Sequence, residues 1–252
     1  MLFYGKTDVG RRREMNQDDF AVRKYSYDVL AAVVCDGMGG VNGGNIASRV
    51  AVEVFMEELD KYEHEHPSFF GEGEEEVLDC LSAAVTAANR AVYRTASGDA
   101  SLLGMGTTLV ACIVIGEKAY ITNVGDSRLY VSADNEIEQV THDHSLVQDL
   151  IDFGRITPEE AKHHNSRNII TRVVGTHKTV DADMFVCEMK PGTYAVLCSD
   201  GLTNLVEPEE IGEVVGEIDR GELTVDAACE SLIELANERG GFDNITAVIL
   251  SI

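Results

Sequence analysis

"TTLVACIVIGEKAYITNVGDSRLYVSADNEIEQVT", residues 107 to 141, alternates runs of β-branched and aromatic residues with the short breaks "GEK", "GDS" and "ADN". Each break carries Gly, Asp or Asn, the residues that supply tight turns, so the stretch reads as an antiparallel meander. Downstream, "DMFVCEM" (183 to 189), "TYAVLCSD" (193 to 200) and the closing "ITAVILSI" (245 to 252) are strand-like, with two helical stretches before the last of them. Upstream, "DFAVRKY" (19 to 25) and "DVLAAVVCD" (28 to 36) read as paired strands, the second apolar enough to be buried. Between these strand-rich ends, "IASRVAVEVFMEELDKY" (46 to 62) places Ile46, Val50, Val54 and Leu59 at helical spacing. A second helix is predicted over 74 to 96, where Glu74 to Glu76 suit the first turn electrostatically. The charged, glycine-containing segment between the two helices reads as their loop. Helices grouped between strand-rich ends predict an α+β layered sandwich, with the helix pair lying on a sheet, in preference to a βαβ doubly wound fold.

The segment from His142 to Gly175 changes character: short helical fragments, the capping signal "TPEE" at 157 to 160, and many polar residues. It reads as an inserted flap. No Pro/Ser-rich linker interrupts the 252 residues, so a single domain over 1–252 is expected. The formal charge of -24, from 44 acidic against 20 basic residues, argues against a nucleic-acid partner, because phosphate-backbone binders need basic patches. The 6 cysteines are widely spaced, form no C-x-x-C pair and lie mostly in apolar runs, as reduced core thiols do. "MLFYGKTDVGRRR" has no signal-peptide core and no stretch approaches eighteen apolar residues, so no membrane partner is expected and a cytoplasmic location is predicted.

Strand-like runs repeatedly end or begin at an aspartate: "AAVVCDG" at Asp36, "ITNVGDS" at Asp126, "AVLCSDG" at Asp200 and "DNITAVIL" at Asp243. One such dipeptide is an ordinary turn. Their repetition suggests convergence on one rim, where two like charges about 4 Å apart repel by about 4 kcal/mol at an effective dielectric of 20. Several such pairs would consume a typical folding margin of about 5 to 15 kcal/mol unless cations neutralise them. An oxygen-only set suits Mg²⁺ or Mn²⁺ rather than Zn²⁺.

"TDVGRRREMNQDDF", "CDGMGGVNGG", "GMGTTLVA", "NVGDSRLY", "RNIITRVVG", "CSDGLTN" and "DNITAVI" resemble, in order, the motifs of bacterial PP2C-type (PPM family) protein phosphatases. The resemblance spans essentially the whole chain. It implies a four-layer α-β-β-α sandwich of two antiparallel sheets flanked by helix pairs. It also implies two Mn²⁺ or Mg²⁺ ions bridged by a hydroxide that attacks phosphoserine or phosphothreonine esters of phosphoproteins, without a phosphoenzyme, in opposition to a Ser/Thr protein kinase. Carried over by motif, Asp36 bridges both metals, the Gly37 carbonyl ligates one, and Asp200 and Asp243 complete the other. Asp126 with Asp200 matches a third, weaker site, Asp18 orients metal-bound waters, and Arg13 clamps the phosphate. A metal pair can bring a shared water toward neutral pKa, and the planar guanidinium of Arg13 pairs bidentately with phosphate.

The chain departs from the pattern at Gln17, where family members often carry Glu, and at Met38, where eukaryotic members carry His. Met38 cannot donate a proton to the leaving group. "HDH" (142 to 144) and "HH" (163 to 164) lack further ligands at zinc spacing, so they read as flap residues. Thr141, His144, Arg167 and Arg172 are expected to pack the flap or touch substrate. "GMGTT" lacks the Lys of a P-loop and is expected to start a strand. The competing readings are a phosphatase-like binding domain without catalysis, which the intact aspartates oppose, and a small-molecule phosphatase using the same metals.

Overall fold

β3 (Val29–Met38) is buried on both faces, which explains its nearly unbroken apolar run. Val29, Ala31, Val33 and Cys35 pack toward a helix pair, whereas Leu30, Ala32 and Val34 pack toward a second sheet. The computed structural model describes residues 1–26, 28–65, 73–133 and 136–252. In one sheet β3 lies between β2 (Asp18–Lys24) and β5 (Leu109–Ile115), followed by β6 (Lys118–Val124) and β9 (Asp183–Glu188). The two-residue β4 (Gly106–Thr107) pairs with the end of β3. The other sheet runs β1 (Leu2–Asp8), β11 (Ile245–Ser251), β10 (Tyr194–Cys198), β7 (Arg128–Ala133) and β8 (Glu136–Gln139). The paired strands are antiparallel throughout.

Helices α1 (Gly40–Glu65) and α2 (Glu74–Gly98) cover the first sheet through Phe55, Leu59, Leu81 and Val85. Helices α6 (Pro208–Asp219) and α7 (Val225–Glu238) cover the second through Ile211, Val215, Leu232 and Ile233. Between the sheets, Val110, Cys112 and Ile121 of one meet Leu129, Leu197 and Val248 of the other. The result is the α-β-β-α sandwich.

The expected meander is broken in its middle. The chain turns back from β5 to β6 around "GEK" and the two strands pair, but β6 and β7 belong to different sheets. "GDS" is therefore a crossover between layers, turned at Gly125 with φ 109. Strand propensity is the same for either arrangement. What separates the layers is that Ile121 and Leu129 both project into the inter-sheet core, from opposite sides. β7 and β8 do pair, though most of the expected "ADN" turn lies outside the described residues.

α1 starts at Gly40, well before the periodic run that signalled it. The expected loop between α1 and α2 lies largely outside the described residues. β1 was not anticipated from the sequence, yet it pairs with β11 along its whole length. Within 142–175, α3 (Leu146–Asp152) is capped by Ser145 and α4 (Pro158–Lys162) by the Thr157–Glu160 capping box that "TPEE" signals. Bridges Ser145↔Ile170 and Thr107↔Val174 fasten the segment at its base.

Candidate metal centre

The strand ends of the two sheets meet at one edge of the sandwich, and the aspartates meet there with them. Asp36 lies near the end of β3 and Asp18 opens β2, directly opposite it in the strand register. Asp126 sits in the crossover, Asp200 opens the short helix α5 (Asp200–Thr203) immediately after β10, and Asp243 precedes β11. Asp36, Gly37, Asp126, Asp200, Asp243 and Arg13 all line one cleft of about 1130 Å³. Asp18 lies outside this lining and is 7% exposed. Its Oδ2 accepts hydrogen bonds from Ser199 Oγ and Thr246 Oγ1, both at 2.7 Å, which tie it to the opposite sheet.

The glycine-rich and threonine-rich motifs seat these carboxylates. Asp36 N donates to Thr108 Oγ1 at 2.8 Å, and the Asp36 carbonyl accepts from Thr108 N at 2.9 Å and Thr107 Oγ1 at 2.8 Å. "GMGTT" thus has the structural role expected of it. Gly37 and Gly44 approach too closely for side chains: a Cβ on Gly37 would come 2.0 Å from the Gly44 carbonyl oxygen, and one on Gly44 would come 2.6 Å from that of Gly37. The glycines that weaken the start of α1 are what allow the helix to pass the Asp36–Gly37 backbone.

Electrostatically the cluster is unfavourable by itself. Burial, followed by the charges of Asp18 and Asp200, pushes the Asp36 carboxyl well above the usual carboxylate range. Burial likewise raises Asp18 to about 7 and Asp126 to about 8, with Asp200 contributing to both. Asp200 is raised by burial and by Asp243. Asp200 Oδ2 accepts from Asn204 Nδ2 at 3.0 Å. Among the described residues, Asp18 Oδ1, Asp126 Oδ1 and Asp200 Oδ1 are buried without a hydrogen-bond partner.

Buried carboxylate oxygens with no donor fit a hard divalent cation. Among the described residues, no cluster of three or more His, Cys, Asp or Glu side chains is by itself gathered tightly enough to hold an ion. Mg²⁺-type sites do not require one, since one or two carboxylates and several waters suffice. Arg13, expected to face phosphate, donates from Nη2 to Asp243 Oδ2 at 2.7 Å, and this bond raises its pKa further. Its side chain is half-exposed at the cleft mouth.

Several contributors carried no sequence signal of their own. Asn244 holds the Arg13 loop: its Oδ1 accepts from Gln17 N at 2.8 Å and its Nδ2 donates to the carbonyls of Val9 and Met15, each at 3.0 Å. Arg128 and Asp143 line the cleft beside Asp126 and form a forked pair, with Nε to Oδ1 at 2.9 Å and Nη2 to Oδ2 at 2.7 Å. Burial works against the Arg128 charge, but Asp143 outweighs it and raises the pKa.

The histidines act as flap residues. His144 accepts at Nδ1 from Gly125 N at 3.0 Å, which fixes the proton on Nε2, where it is donated to Asp183 at 3.1 Å. Arg172 holds the other oxygen of Asp183 at 2.6 Å. His142 pairs with Asp152 and His164 Nδ1 accepts from Ser166 N. Thr141 accepts from Leu129 N at the flap base, while Arg167, Gln17 and Met38 line the cleft.

This fold and carboxylate cleft define a metal-dependent phosphoesterase scaffold. Residues 8–237 match the protein phosphatase 2C family, and the chain belongs to that family. It is 35% identical over 245 residues to the serine/threonine phosphatase stp of Listeria monocytogenes, covering 97% of this chain and 93% of that one. The serine/threonine phosphatase of S. agalactiae superimposes with a TM-score of 0.87 at 34% identity, covering 100% of this chain and 99% of the other. The catalytic domain of the serine threonine protein phosphatase PstP, solved in complex with 2 manganese ions, superimposes with a TM-score of 0.81 at 34% identity, over 98% and 96% of the two chains. Among the described residues no helix is long and apolar enough to cross a membrane.

Proposed function

We propose that this chain, as a single catalytic domain over 1–252, hydrolyses phosphoserine and phosphothreonine esters of proteins with the help of two Mn²⁺ or Mg²⁺ ions. The observation that carries the reading is the set of buried, donorless oxygens on Asp18, Asp126 and Asp200 around a cleft also lined by Asp36 and Asp243. Asp36 would serve both ions, with the Gly37 carbonyl on one and Asp200 and Asp243 on the other. Asp126 with Asp200 would hold a third, weaker ion. Bound there, the ions supply Lewis acidity and a water acidic enough to attack phosphorus near neutral pH. Asp18, held through Oδ2 by Ser199 and Thr246, has its other oxygen free of donors among the described residues and would orient water at the metals. Arg13 orients the phosphate from the cleft mouth, leaving Asp243 for the metal. Met38 lines the cleft without a transferable proton, so it cannot serve as the general acid for the leaving group.

Phosphoserine and phosphothreonine are products of kinases, so the chain acts in opposition to a Ser/Thr protein kinase. Unpaired cysteines at Cys35, Cys80, Cys112, Cys187, Cys198 and Cys229 support a reducing, cytoplasmic setting. The test is phosphate release from a phosphothreonine peptide with Mn²⁺, abolished by EDTA and reduced at least about a hundredfold in Asp36→Asn, a loss of about 2.7 kcal/mol in transition-state stabilisation. An unchanged rate in Asp36→Asn or with excess EDTA would overturn it.

A further inference from the structure

Two loops run side by side at the mouth of the cleft, and their residues meet in step. Arg11 N donates to the Gly241 carbonyl at 2.8 Å, the Arg12 guanidinium lies 6.0 Å from the centroid of the Phe242 ring, and Arg13 pairs with Asp243 at 2.7 Å. The third of these pairs belongs to the site already described; the second does not. Phe242 lines the cleft yet is 57% exposed, an unusual position for an aromatic ring beside a carboxylate cluster. Its ring rests on Gly240, where a Cβ would come 2.6 Å from Phe242 Cζ. Arg12 is exposed and makes no ion pair among the described residues, in a chain with 44 acidic residues to its 20 basic ones.

We propose that Arg12, braced on Phe242, is a specificity determinant that reads an acidic side chain one or two residues from the phosphoresidue of a protein substrate. The inference rests on the phosphatase reading of the neighbouring cleft. Arg13 occupies the phosphate end, and adjacent Cα atoms lie about 3.8 Å apart. An extended peptide advances about 3.3 Å per residue, so a substrate with its phosphate in the cleft carries its neighbours past Arg12. The ring face narrows the orientations of the guanidinium, which lowers the entropy lost when it captures a carboxylate. The net charge of -24 disfavours acidic substrates over most of the surface, so an unpaired cation at the mouth acts as a local exception.

The experiment compares kcat/KM for phosphothreonine peptides carrying Glu or Gln on either side of the phosphoresidue, with Mn²⁺ at low salt. The Glu peptides should be favoured about two- to fivefold, through KM rather than kcat, and the preference should shrink with added salt. Arg12→Gln should abolish the preference, Arg12→Glu should invert it and Phe242→Leu should weaken it. No preference in the wild-type chain, or a preference that survives Arg12→Gln, overturns the inference. Hydrolysis of p-nitrophenyl phosphate, which has no flanking residues, separates the two levels. Its absence with Mn²⁺ overturns the reading of the cleft itself, whereas its presence without a Glu preference overturns only the role of Arg12.

Discussion

Asp18 and Asp36 face each other across β2 and β3, so the antiparallel register places a buried carboxylate directly opposite one that lines the cleft. Like charges in that position destabilise a sheet. In metal-free protein, Asp18→Asn should therefore raise the thermal midpoint, by the equivalent of about 1 kcal/mol. Mn²⁺ should raise the wild-type midpoint progressively, reaching about 2.7 kcal/mol at a hundredfold excess over Kd. Asp36→Asn should lose most of that response, and thermal melts in EDTA and across a Mn²⁺ titration read both effects.

Arg13 has two partners to choose between. Arg13→Ala should lower kcat/KM on a phosphopeptide about ten- to a hundredfold, the scale of one or two charge-assisted hydrogen bonds of about 1.5 to 3 kcal/mol. Arg13→Lys should recover only part, since an ammonium lacks the guanidinium fork. Because Arg13 also neutralises Asp243 at 2.7 Å, its removal should shift the Mn²⁺ activation midpoint to lower concentration.

The Arg128–Asp143 pair is mostly buried, with side chains 27% and 8% exposed. Arg128→Met leaves Asp143 with Gln139 as its one remaining donor among the described residues and should cost about 3 kcal/mol in urea unfolding. The double variant Arg128→Met/Asp143→Leu should regain most of that loss, because no unpaired charge remains.

His144 is buried and its pKa is lowered, first by desolvation and against the pull of Asp183. A depressed folded pKa gives stability that is present above the ordinary value of 6.5 and lost as pH falls through the folded value. His144→Phe removes the bonds to Gly125 and Asp183 and should cost about 1 to 3 kcal/mol at pH 7.5. That cost should shrink steadily below pH 6.5, which paired unfolding curves across the pH range would measure.

The aspartates at strand ends were legible because a charge closing an apolar run is a local pattern, and the strands and paired helices were legible through their periodicity. The partition of strands between sheets was not. "GDS" has the same turn chemistry whether β7 folds back beside β6 or crosses to the other layer. Only the packing of Ile121 against the opposing sheet distinguishes the two. Asn244, Ser199 and Asp143 stayed hidden for a related reason. Their partners, the Arg13 loop, Asp18 and Arg128, are distant or unmarked in the chain, and a single Asn, Ser or Asp has no periodicity to betray it.

The crossover at Gly125 divides the carboxylates by ancestry in the sandwich: Asp18 and Asp36 ride on one sheet, Asp200 and Asp243 on the strand ends of the other. The spacing of the centre is thus a gauge of how the two sheets are seated on each other. A shear of even an ångström along the Leu30, Val110 and Val248 interface would reset the distance between its halves. The apolar residues between the layers therefore act as a vernier for the chemistry at the rim, and substitutions there, far from any charge, should detune the cleft before they unfold the chain.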